Sequence, residues 1–458
     1  MEGAGTELTD RRVPGPPQRG GRAPVSSRVQ SAILIAALAA LTPGQATAKA
    51  DPPEFHVYVG RITSTSVLLA WGTTSGDDTI GRGSPSHGPA EVTLNGLLRP
   101  APSDQNWTEI GGLESDRSYQ YAVRLNGQTI GTGSVRTYPR NPRRLAFLVL
   151  GDFGNGTREQ TQLGEQMHRI VKSRESSENP IRFVLTTGDN IYAKGIPILR
   201  GLFLRGSGNS DKHWGDRFFR PYLQLLRSVP FYPSLGNHDG SESEKSGDLA
   251  ACLDNLFVPT DPPGRGRYYS FRVGEFAEFF ALDTTQHRAD GPFIYAADGE
   301  QTEWLRNRLH ASTARWKIPY FHHPLITAGP QHKPACERVR HFGYLFEDAR
   351  APVVFNGHEH NFQFSEPIGK ARTRYIVTGA GGKLRGGSLA GRLPAARIAL
   401  WAAQRHFLLV ELDSDSMTIH VIGATGDVPL RDANGHSGPS TIEVLLRDEG
   451  PEATPVCK

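Results

Sequence analysis

Five short apolar runs between residues 144 and 356 end abruptly in polar blocks that contain Asp, Asn or His. The runs cover residues 144–150, 181–185, 231–235, 318–321 and 352–356. Apolar runs of this length, several of them separated by stretches with helical spacing, are typical of buried strands in an α/β sheet. Open α/β sheets bind ligands outside the carboxyl ends of their strands, so the polar blocks are expected to meet in one site.

The polar blocks contain the residue types that bind metal ions. Two hard or borderline cations need oxygen and imidazole ligands, and one shared carboxylate to bridge them. Seven such residues follow the runs, and with a bridging solvent molecule they would fill two nearly octahedral sites: Asp152, Asp189, Tyr192, Asn237, His322, His358 and His360.

These blocks resemble, in order, the motifs of the calcineurin-like metallophosphoesterase superfamily. They read GDFG at 151–154, GDNIY at 188–192, GNHD at 236–239 and GHEH at 357–360, and His322-His323-Pro324 supplies the remaining His. The Tyr after Gly-Asp-Asn is typical of the purple acid phosphatases. The resemblance implies a four-layer α/β/β/α sandwich that cleaves phosphomonoesters by attack of a metal-activated hydroxide, as in an acid phosphatase.

The resemblance also implies a role for each residue. Asp152, Tyr192 and His360 would bind Fe(III), and Asp189 would bridge both metals. The second metal, Fe(II), Zn(II) or Mn(II), would bind Asn237, His322 and His358. The catalytic candidates are His238 and His332, and His323 is a rival substrate-binding residue. A phenolate suits a trivalent ion, while imidazole and amide suit a divalent one.

Three other functions remain open. The closest is a phosphodiesterase or nucleotidase with the same site, whose substrate recognition would involve the insert at 193–215 with Arg200, Arg205 and Lys212. The second is a secreted binding or adhesion protein with an inactive catalytic domain, which the complete set of seven ligands disfavours. The third is iron redox chemistry at the same centre, which Tyr192 would permit.

The composition agrees with a small phosphorylated substrate. The formal net charge is only +4 over 458 residues. No basic stripe with interleaved aromatic residues appears, so nucleic-acid binding is not expected. The oligomeric state is not indicated by any pattern in the chain.

A small all-β sandwich is predicted to precede the catalytic domain. Residues 118–125 alternate strictly between polar and apolar, and several short strands are separated by turns. The pattern resembles a fibronectin type III module. The predicted domains are a leader at 1–50, the β module at 51–140, the catalytic domain at 141–430 and a polar C-terminal tail at 431–458.

The leader is interpreted as an export signal. A basic, Pro-rich segment precedes a short apolar run at 32–41, and Ala46-Thr47-Ala48 provides small residues for cleavage. The run is short for a membrane span. The protein is therefore expected to be periplasmic or secreted, and tethered to a membrane through residues 31–42 only if the signal is not cleaved.

Several single residues keep two interpretations. Among the three cysteines, a Cys252–Cys336 disulfide and three free thiols are both compatible with the sequence. Asp239 either caps a turn or orients His238, and Glu359 is expected to point away from the metals. Gly379–Lys383 lacks the flanks of a phosphate-binding loop and is interpreted as a tight turn after a strand.

Overall fold

The computed structural model describes residues 54–73, 86–192, 196–199, 202–204, 211–241, 250–259, 266–285 and 293–457. The predicted leader at 1–50, and with it the export and cleavage signals, lies outside these residues, as do residues 193–195, 200, 201 and 205–210 of the insert at 193–215. Within the described residues, no helix is both long and apolar enough to cross a bilayer.

Seven strands in two antiparallel sheets form the predicted β module. They are β1 (Phe55–Ile62), β2 (Val67–Thr73), β3 (Ala90–Leu94), β4 (Leu97–Arg99), β5 (Trp107–Ile110), β6 (Ser118–Leu125) and β7 (Gln128–Arg136). One sheet has the order β1-β2-β5 and the other β4-β3-β6-β7. The alternation in β6 buries Tyr119, Tyr121, Val123 and Leu125, as its sequence pattern predicts. The all-β module is therefore confirmed, while its fibronectin type III identity stays a prediction.

Strands and helices alternate in the first half of the phosphoesterase region. They are β8 (Leu145–Leu150), α1 (Arg158–Arg174), β9 (Ile181–Thr187), β10 (Ile196–Leu199), β11 (Leu202–Leu204), α2 (Asp211–Trp214), α3 (Arg220–Leu226), β12 (Phe231–Ser234), α4 (Ala250–Asn255), β13 (Tyr269–Val273) and β14 (Ala277–Ala281). Two π-helical turns lie at Gly215–Phe219 and Asn237–Ser241.

The second half is richer in strands. Its elements are α5 (Glu300–Ala311), β15 (Trp316–Phe321), α6 (Cys336–Asp348), β16 (Val353–Asn356), β17 (Phe362–Ser365), β18 (Arg374–Thr378), α7 (Leu393–Ala396), β19 (Ile398–Ala402), β20 (Phe407–Leu412), β21 (Ser416–Gly423), β22 (Gly426–Asp427), β23 (Leu430–Arg431), β24 (Ser437–Gly438) and β25 (Thr441–Leu445). A 3₁₀ turn at Ala390–Arg392 precedes α7.

Two mixed sheets are built from these strands. The first has the order β12-β9-β8-β20-β21-β22, with β25 paired to β21, and the second has the order β13-β14-β15-β16-β18-β17-β19-β23-β24. In the first sheet β8, β9 and β12 are parallel, and in the second β14, β15, β16 and β18 are parallel. Parallel strands end at one edge of their sheet, which explains why the polar blocks after β8, β9, β12, β15 and β16 come together.

An aromatic layer joins the two sheets face to face. Phe183 of β9 lies 5.3 Å from Phe147 of β8 and 5.1 Å from Phe279 of β14, measured between ring centroids. Phe271 of β13 stacks on Phe279 at 4.9 Å. A separate core cluster joins residues of α5 and α6 to the second sheet, including Leu305, Phe321 and Phe346. These layers form the predicted α/β/β/α sandwich.

Helix α1 helps to position the first polar block. Its N-cap is Thr157, whose hydroxyl accepts from the backbone N–H of Gln160 at 3.4 Å. The buried Gln160 side chain in turn accepts from the backbone N–H groups of Asn155 and Gly156 at 3.1 and 2.8 Å. The start of the helix therefore holds the loop that follows β8.

The β module and the phosphoesterase region pack into one compact unit over residues 53–458. The Tyr58 hydroxyl donates to the carbonyl of Asn255 at 2.8 Å, and the Tyr121 hydroxyl donates to the carbonyl of Arg227 at 2.9 Å. Arg182 of β9 forms an ion pair of 2.6 Å with Asp116 of the module. The module therefore packs directly against the region that follows it.

The cysteine pairing differs from both sequence expectations. Cys336, at the start of α6, forms a disulfide with Cys457, with their Cα atoms 5.4 Å apart. Cys252 is buried on α4 and unpaired. It belongs to the core cluster of the first sheet, whereas Cys457 packs against the second cluster near Cys336. The C-terminal segment thus contributes both β25 and one cysteine of the disulfide, although the sequence predicts only a polar tail.

Candidate metal centre

The strand ends that carry the predicted ligands have unusual backbone conformations. Asp152, Asp189 and His358 all have positive φ angles, of 55°, 51° and 70°. Such conformations cost free energy for residues other than Gly and are concentrated at functional sites. Glycine is required beside them, because a Cβ on Gly357 would lie 2.6 Å from Asp152 Oδ2 and a Cβ on Gly188 would lie 2.6 Å from His322 Nδ1.

One group of donor atoms comes from the blocks after β8, β9 and β16. Tyr192 Oη lies 3.2 Å from Asp152 Oδ1 and 3.4 Å from His360 Nε2. His360 Nε2 lies 3.3 Å from Asp152 Oδ1, which closes the triangle. Asp152, Asp189 and His360 each direct one donor atom into a space where these atoms lie within 4.8 Å of one another.

A second group lies on the other side of Asp189. His322 Nε2 is 3.0 Å from Asn237 Oδ1, 3.1 Å from His358 Nδ1 and 3.4 Å from Asp189 Oδ1. Asp189 therefore has close neighbours in both groups, as the bridging residue of a two-metal centre must. The structure brings all seven predicted ligands together.

Hydrogen bonding orients His322 for ligation. Its Nδ1 lies 2.8 Å from the carbonyl oxygen of Thr187. Because a carbonyl oxygen only accepts, Nδ1 carries the proton, and Nε2 keeps its lone pair toward Asn237 and Asp189. A ring nitrogen held in this way by a backbone carbonyl is typical of metal-binding histidines.

The electrostatics of the site favour bound cations. Asp152 and Asp189 are 0% and 1% exposed. Burial, together with the charge of Asp189, raises the pKa of the Asp152 carboxyl well above its usual range. Burial, then the charges of both carboxylates, raises the pKa of Tyr192, and burial lowers the pKa of His360 to about 4. Because burial disfavours the charged forms of these two acidic groups, bound cations would offset the cost of their negative charge, and the neutral imidazole would keep a lone pair for ligation.

The spacing of the donor atoms supports the same conclusion. Neighbouring ligands on a metal with bonds of about 2.0–2.2 Å lie about 3 Å apart. The donor pairs in the two groups are separated by 3.0–3.4 Å. The residues present therefore fit two metal ions without rearrangement of the backbone.

The two catalytic candidates lie beside the ligands. The ring of His238 is 4.6 Å from the ring of Tyr192, and its backbone N–H donates to Asp189 Oδ1 at 2.8 Å. The half-buried ring of His332 lies 3.7 Å from that of His358. Burial, and then the charge of Arg385, lowers the pKa of His332 to about 4.

His323 occupies a different environment. Its ring is buried 4.5 Å from that of His358, and burial lowers its pKa well below the usual value. Its Nε2 accepts from Arg338 at 3.0 Å, so its Nδ1 carries the proton and donates to Thr284 Oγ1 at 2.8 Å. Both ring nitrogens bond to protein groups, which favours support of His358 over contact with substrate; the substrate contact stays a prediction.

Three residues near the site support the proposed ligands or the catalytic candidates through contacts that the sequence does not predict. The first is Asp239, which is fully buried and joins two ligand loops. Its carboxylate accepts from the backbone N–H groups of Gly236, Asn190 and Ile191 at 2.7, 2.8 and 3.2 Å, and from the Asn190 amide at 2.9 Å. Asp239 thus clamps the loop of Asp189 to the loop of Asn237.

The second is Glu359, which points away from the ligands as expected but holds His332. Its Oε2 accepts from the backbone N–H groups of His332 and Gln331 at 2.8 and 3.3 Å, and its Oε1 accepts from Arg385 at 3.2 Å. The carboxylate therefore positions the loop on which His332 lies.

The third is Lys383, at the end of the glycine-rich segment after β18. Its Nζ lies 4.5 Å from the centroid of the Tyr192 ring. The backbone N–H groups of Gly382 and Lys383 both donate to the carbonyl of Asp152, at 3.1 and 2.9 Å. A Cβ on Gly382 would lie 2.1 Å from the Phe153 carbonyl, so glycine is needed for this approach. The segment is a tight turn, as predicted, and it also places the side-chain ammonium group of Lys383 beside Tyr192.

Comparison with known proteins agrees with this geometry. Residues 145–362 match the model of the calcineurin-like phosphoesterase family. This part of the chain is similar to calcineurin-like phosphoesterases. The matched residues include all seven proposed metal ligands and end at the first residue of β17, so the match covers the whole candidate metal centre.

Its relatives by sequence include plant and bacterial proteins. An uncharacterized protein of Mycobacterium tuberculosis is 26% identical over 340 residues, which are 68% of this chain and 62% of the relative. Purple acid phosphatase 3 of Arabidopsis thaliana is 28% identical over 258 residues, 52% of this chain and 63% of the relative. The chain thus spans less than two thirds of the length of these relatives.

Two solved structures share the fold. PhoD superposes with a TM-score of 0.62 over 87% of this chain and 94% of its own, at 16% identity. A purple acid phosphatase from yellow lupin seeds superposes with a TM-score of 0.55 over 86% of this chain and 74% of its own, also at 16% identity. Both superpositions cover a larger part of this chain than residues 145–362, which match the family model.

Proposed function

We propose that this protein is an acid phosphatase that hydrolyses phosphomonoesters at a two-metal centre. The observation that carries the proposal is the convergence of seven donor residues in two groups that share Asp189. The Arabidopsis relative and the yellow lupin structure are both named purple acid phosphatases, which supports the same assignment.

The proposed ligands follow from the two groups. Asp152, Tyr192 and His360 hold Fe(III), because a phenolate and a carboxylate suit a hard trivalent ion. Asn237, His322 and His358 hold Fe(II), Zn(II) or Mn(II), and Asp189 bridges. When bound, such a pair of metals supplies charge stabilisation for the phosphoryl group and lowers the pKa of a coordinated water toward neutrality.

The protein's own residues then bind the ester and move protons. His238 and His332 flank the ligand groups and are proposed to hold the phosphate and to protonate the leaving oxygen. A donor must carry its proton to act, and the pKa of His332 is lowered to about 4. Its protonated fraction therefore falls as the pH rises above about 4, which favours turnover in acid.

For the rest of the chain, we propose the same assignments that the sequence predicts. These are export to the periplasm or the exterior, a fibronectin type III-like module at 51–140, a catalytic domain at 141–430 and a C-terminal segment at 431–458. The insert at 193–215 is proposed to bind the leaving group.

A rate comparison tests the proposal. Residues 51–458 loaded with iron are assayed on an aryl phosphomonoester and an aryl phosphodiester from about pH 4 to pH 8. Faster monoester turnover with an acid optimum is the expected result. Faster diester turnover near neutrality would instead identify a phosphodiesterase. No turnover of either ester by a metal-loaded chain would contradict the hydrolase assignment and favour a binding protein.

Lys383 is expected to contribute to this activity. Lys383→Met removes a half-buried positive charge from the face of Tyr192 and from the neighbourhood of both buried carboxylates. Supporting groups around metal ligands are typically worth about 10–100-fold in activity or metal affinity, and we expect a loss of kcat/KM in that range. Lys383→Arg should recover part of it, because it keeps the charge.

The matched control is Lys172→Met on the exposed surface of α1. It removes the same charge at an exposed side chain that pairs with Glu175, which is not a proposed ligand, and should leave kcat/KM unchanged. Equal rates for the two methionine variants would show that Lys383 has no part in the reaction.

A further inference from the structure

A cavity of about 590 Å³, separate from the candidate metal centre, lies between the β module and the phosphoesterase domain. Its lining residues include Arg61 of β1, Glu109 of β5, Arg140 of the linker, Arg272 of β13 and Arg308 of α5. We call it the inter-module cavity. The volume is typical of small-ligand sites. None of the seven proposed metal ligands is among its described lining residues.

The charges of the inter-module cavity do not balance. Arg61 pairs with Glu109 at 2.7 Å, while Arg272 and Arg308 share one carboxylate, that of the fully buried Glu278, at 3.7 and 2.6 Å. Arg140 is exposed and has no carboxylate within ion-pair distance in the described part of the chain. Four guanidinium groups thus face two carboxylates.

Some of these guanidinium groups also lack hydrogen-bond acceptors. The Nε atom of Arg61 is buried without a hydrogen-bond acceptor among the described residues, and the buried Nε of Arg272 has only Glu278 Oε2 at 3.7 Å, beyond hydrogen-bond distance. Buried donors are normally satisfied, so an unsatisfied one calls for an acceptor from elsewhere. The hydroxyl groups of Tyr138 and Tyr232, 3.2 Å apart, also line the cavity.

We propose that the inter-module cavity binds a compact polyanion of the oligophosphate class. The planar guanidinium fork matches phosphate oxygens, and two surplus positive charges call for a ligand with more than one negative charge. A ligand held by Arg61 of β1, Arg140 of the linker and Arg272 of β13 contacts both the module and the domain. The proposal goes beyond the phosphatase function and does not depend on it.

Titration calorimetry with inorganic tripolyphosphate tests the proposal. The full chain is used both as purified and after metal removal, at about 150 mM salt, where the Debye length is about 8 Å and weak surface attraction is screened. One-to-one binding is expected after metal removal, whereas in the chain as purified the proposed metal centre adds a second binding event. Arg140→Gln and Arg61→Gln should each weaken it about tenfold or more, since each removes charge-assisted hydrogen bonds.

Two controls locate the ligand. Arg169→Gln on α1 removes an exposed arginine that bonds only to neutral groups, and it should leave the affinity unchanged. His238→Ala alters the proposed active site and should also leave it unchanged. Because Arg140 is exposed and forms no ion pair, its variant should keep the melting temperature of the parent and remain informative even if Arg61→Gln unfolds.

Three results would overturn the proposal. The first is the absence of binding heat at millimolar tripolyphosphate. The second is equal affinity in Arg140→Gln, Arg61→Gln and Arg169→Gln. The third is loss of binding in His238→Ala, which would place the anion at the metal centre. None of these results depends on phosphatase turnover, so the phosphatase assignment is tested separately.

Discussion

Asp189→Asn is expected to lower phosphomonoester turnover by about a thousandfold or more, because bound metals contribute several kcal/mol of transition-state stabilisation. Asp189 has close neighbours in both groups of donor atoms, including His322 Nε2 at 3.4 Å. An amide has nearly the same shape as a carboxylate but no charge, so the loss comes from the bridge and not from packing. Turnover and the metal content per chain are measured on the same preparation.

The matched control for Asp189→Asn is Asp116→Asn. It makes the same chemical change at an ion pair with Arg182 between the module and the domain. We expect both metals and near-parent rates in this variant. A fully loaded and active Asp189→Asn protein would show that Asp189 does not bridge, and the two-metal assignment would then fail.

Asp239→Ala is expected to lower the free energy of unfolding by about 4 kcal/mol, since four buried N–H donors lose an acceptor and each unsatisfied donor costs about 1 kcal/mol or more. The carboxylate is fully buried between the loops of Asp189 and Asn237. Urea unfolding of the metal-free chain measures the effect on the fold alone. Weaker metal binding should accompany it, because the two loops are no longer clamped together.

Asp432→Ala provides the comparison for Asp239→Ala. Asp432 also accepts from backbone N–H groups, those of Asn434 and His436, but in an exposed turn where water replaces the lost acceptor. A loss of no more than about 1 kcal/mol is expected there. If both variants lose the same stability, the clamp assigned to Asp239 is wrong.

The central strands could be predicted because their signal is local. The run at 181–185 becomes β9 (Ile181–Thr187), and the run at 352–356 contains β16 (Val353–Asn356). A strand covered on both faces needs an unbroken series of apolar residues, which can be read from the chain directly. The positions of Trp304, Leu305 and Leu309 likewise predict a helix at 299–311, and α5 (Glu300–Ala311) is observed there.

Elements that depend on distant partners could not be predicted in the same way. β19 (Ile398–Ala402) is stabilised by pairing with β17, and β25 by pairing with β21. Neither segment has a pattern strong enough to indicate a strand without its neighbour. The Cys336–Cys457 bond spans 121 residues and follows from the folding of the C-terminal segment onto α6.

The sequence alone determined which donor groups enter the metal centre, because each ligand directly follows an apolar strand or lies within a short motif after one. The tertiary structure decided what supports them. Asp239, Glu359 and Lys383 act on groups from other segments of the chain, so their partners are set by packing and not by sequence spacing. A ligand's chemistry is local, whereas the contacts that orient it are formed only when distant loops meet.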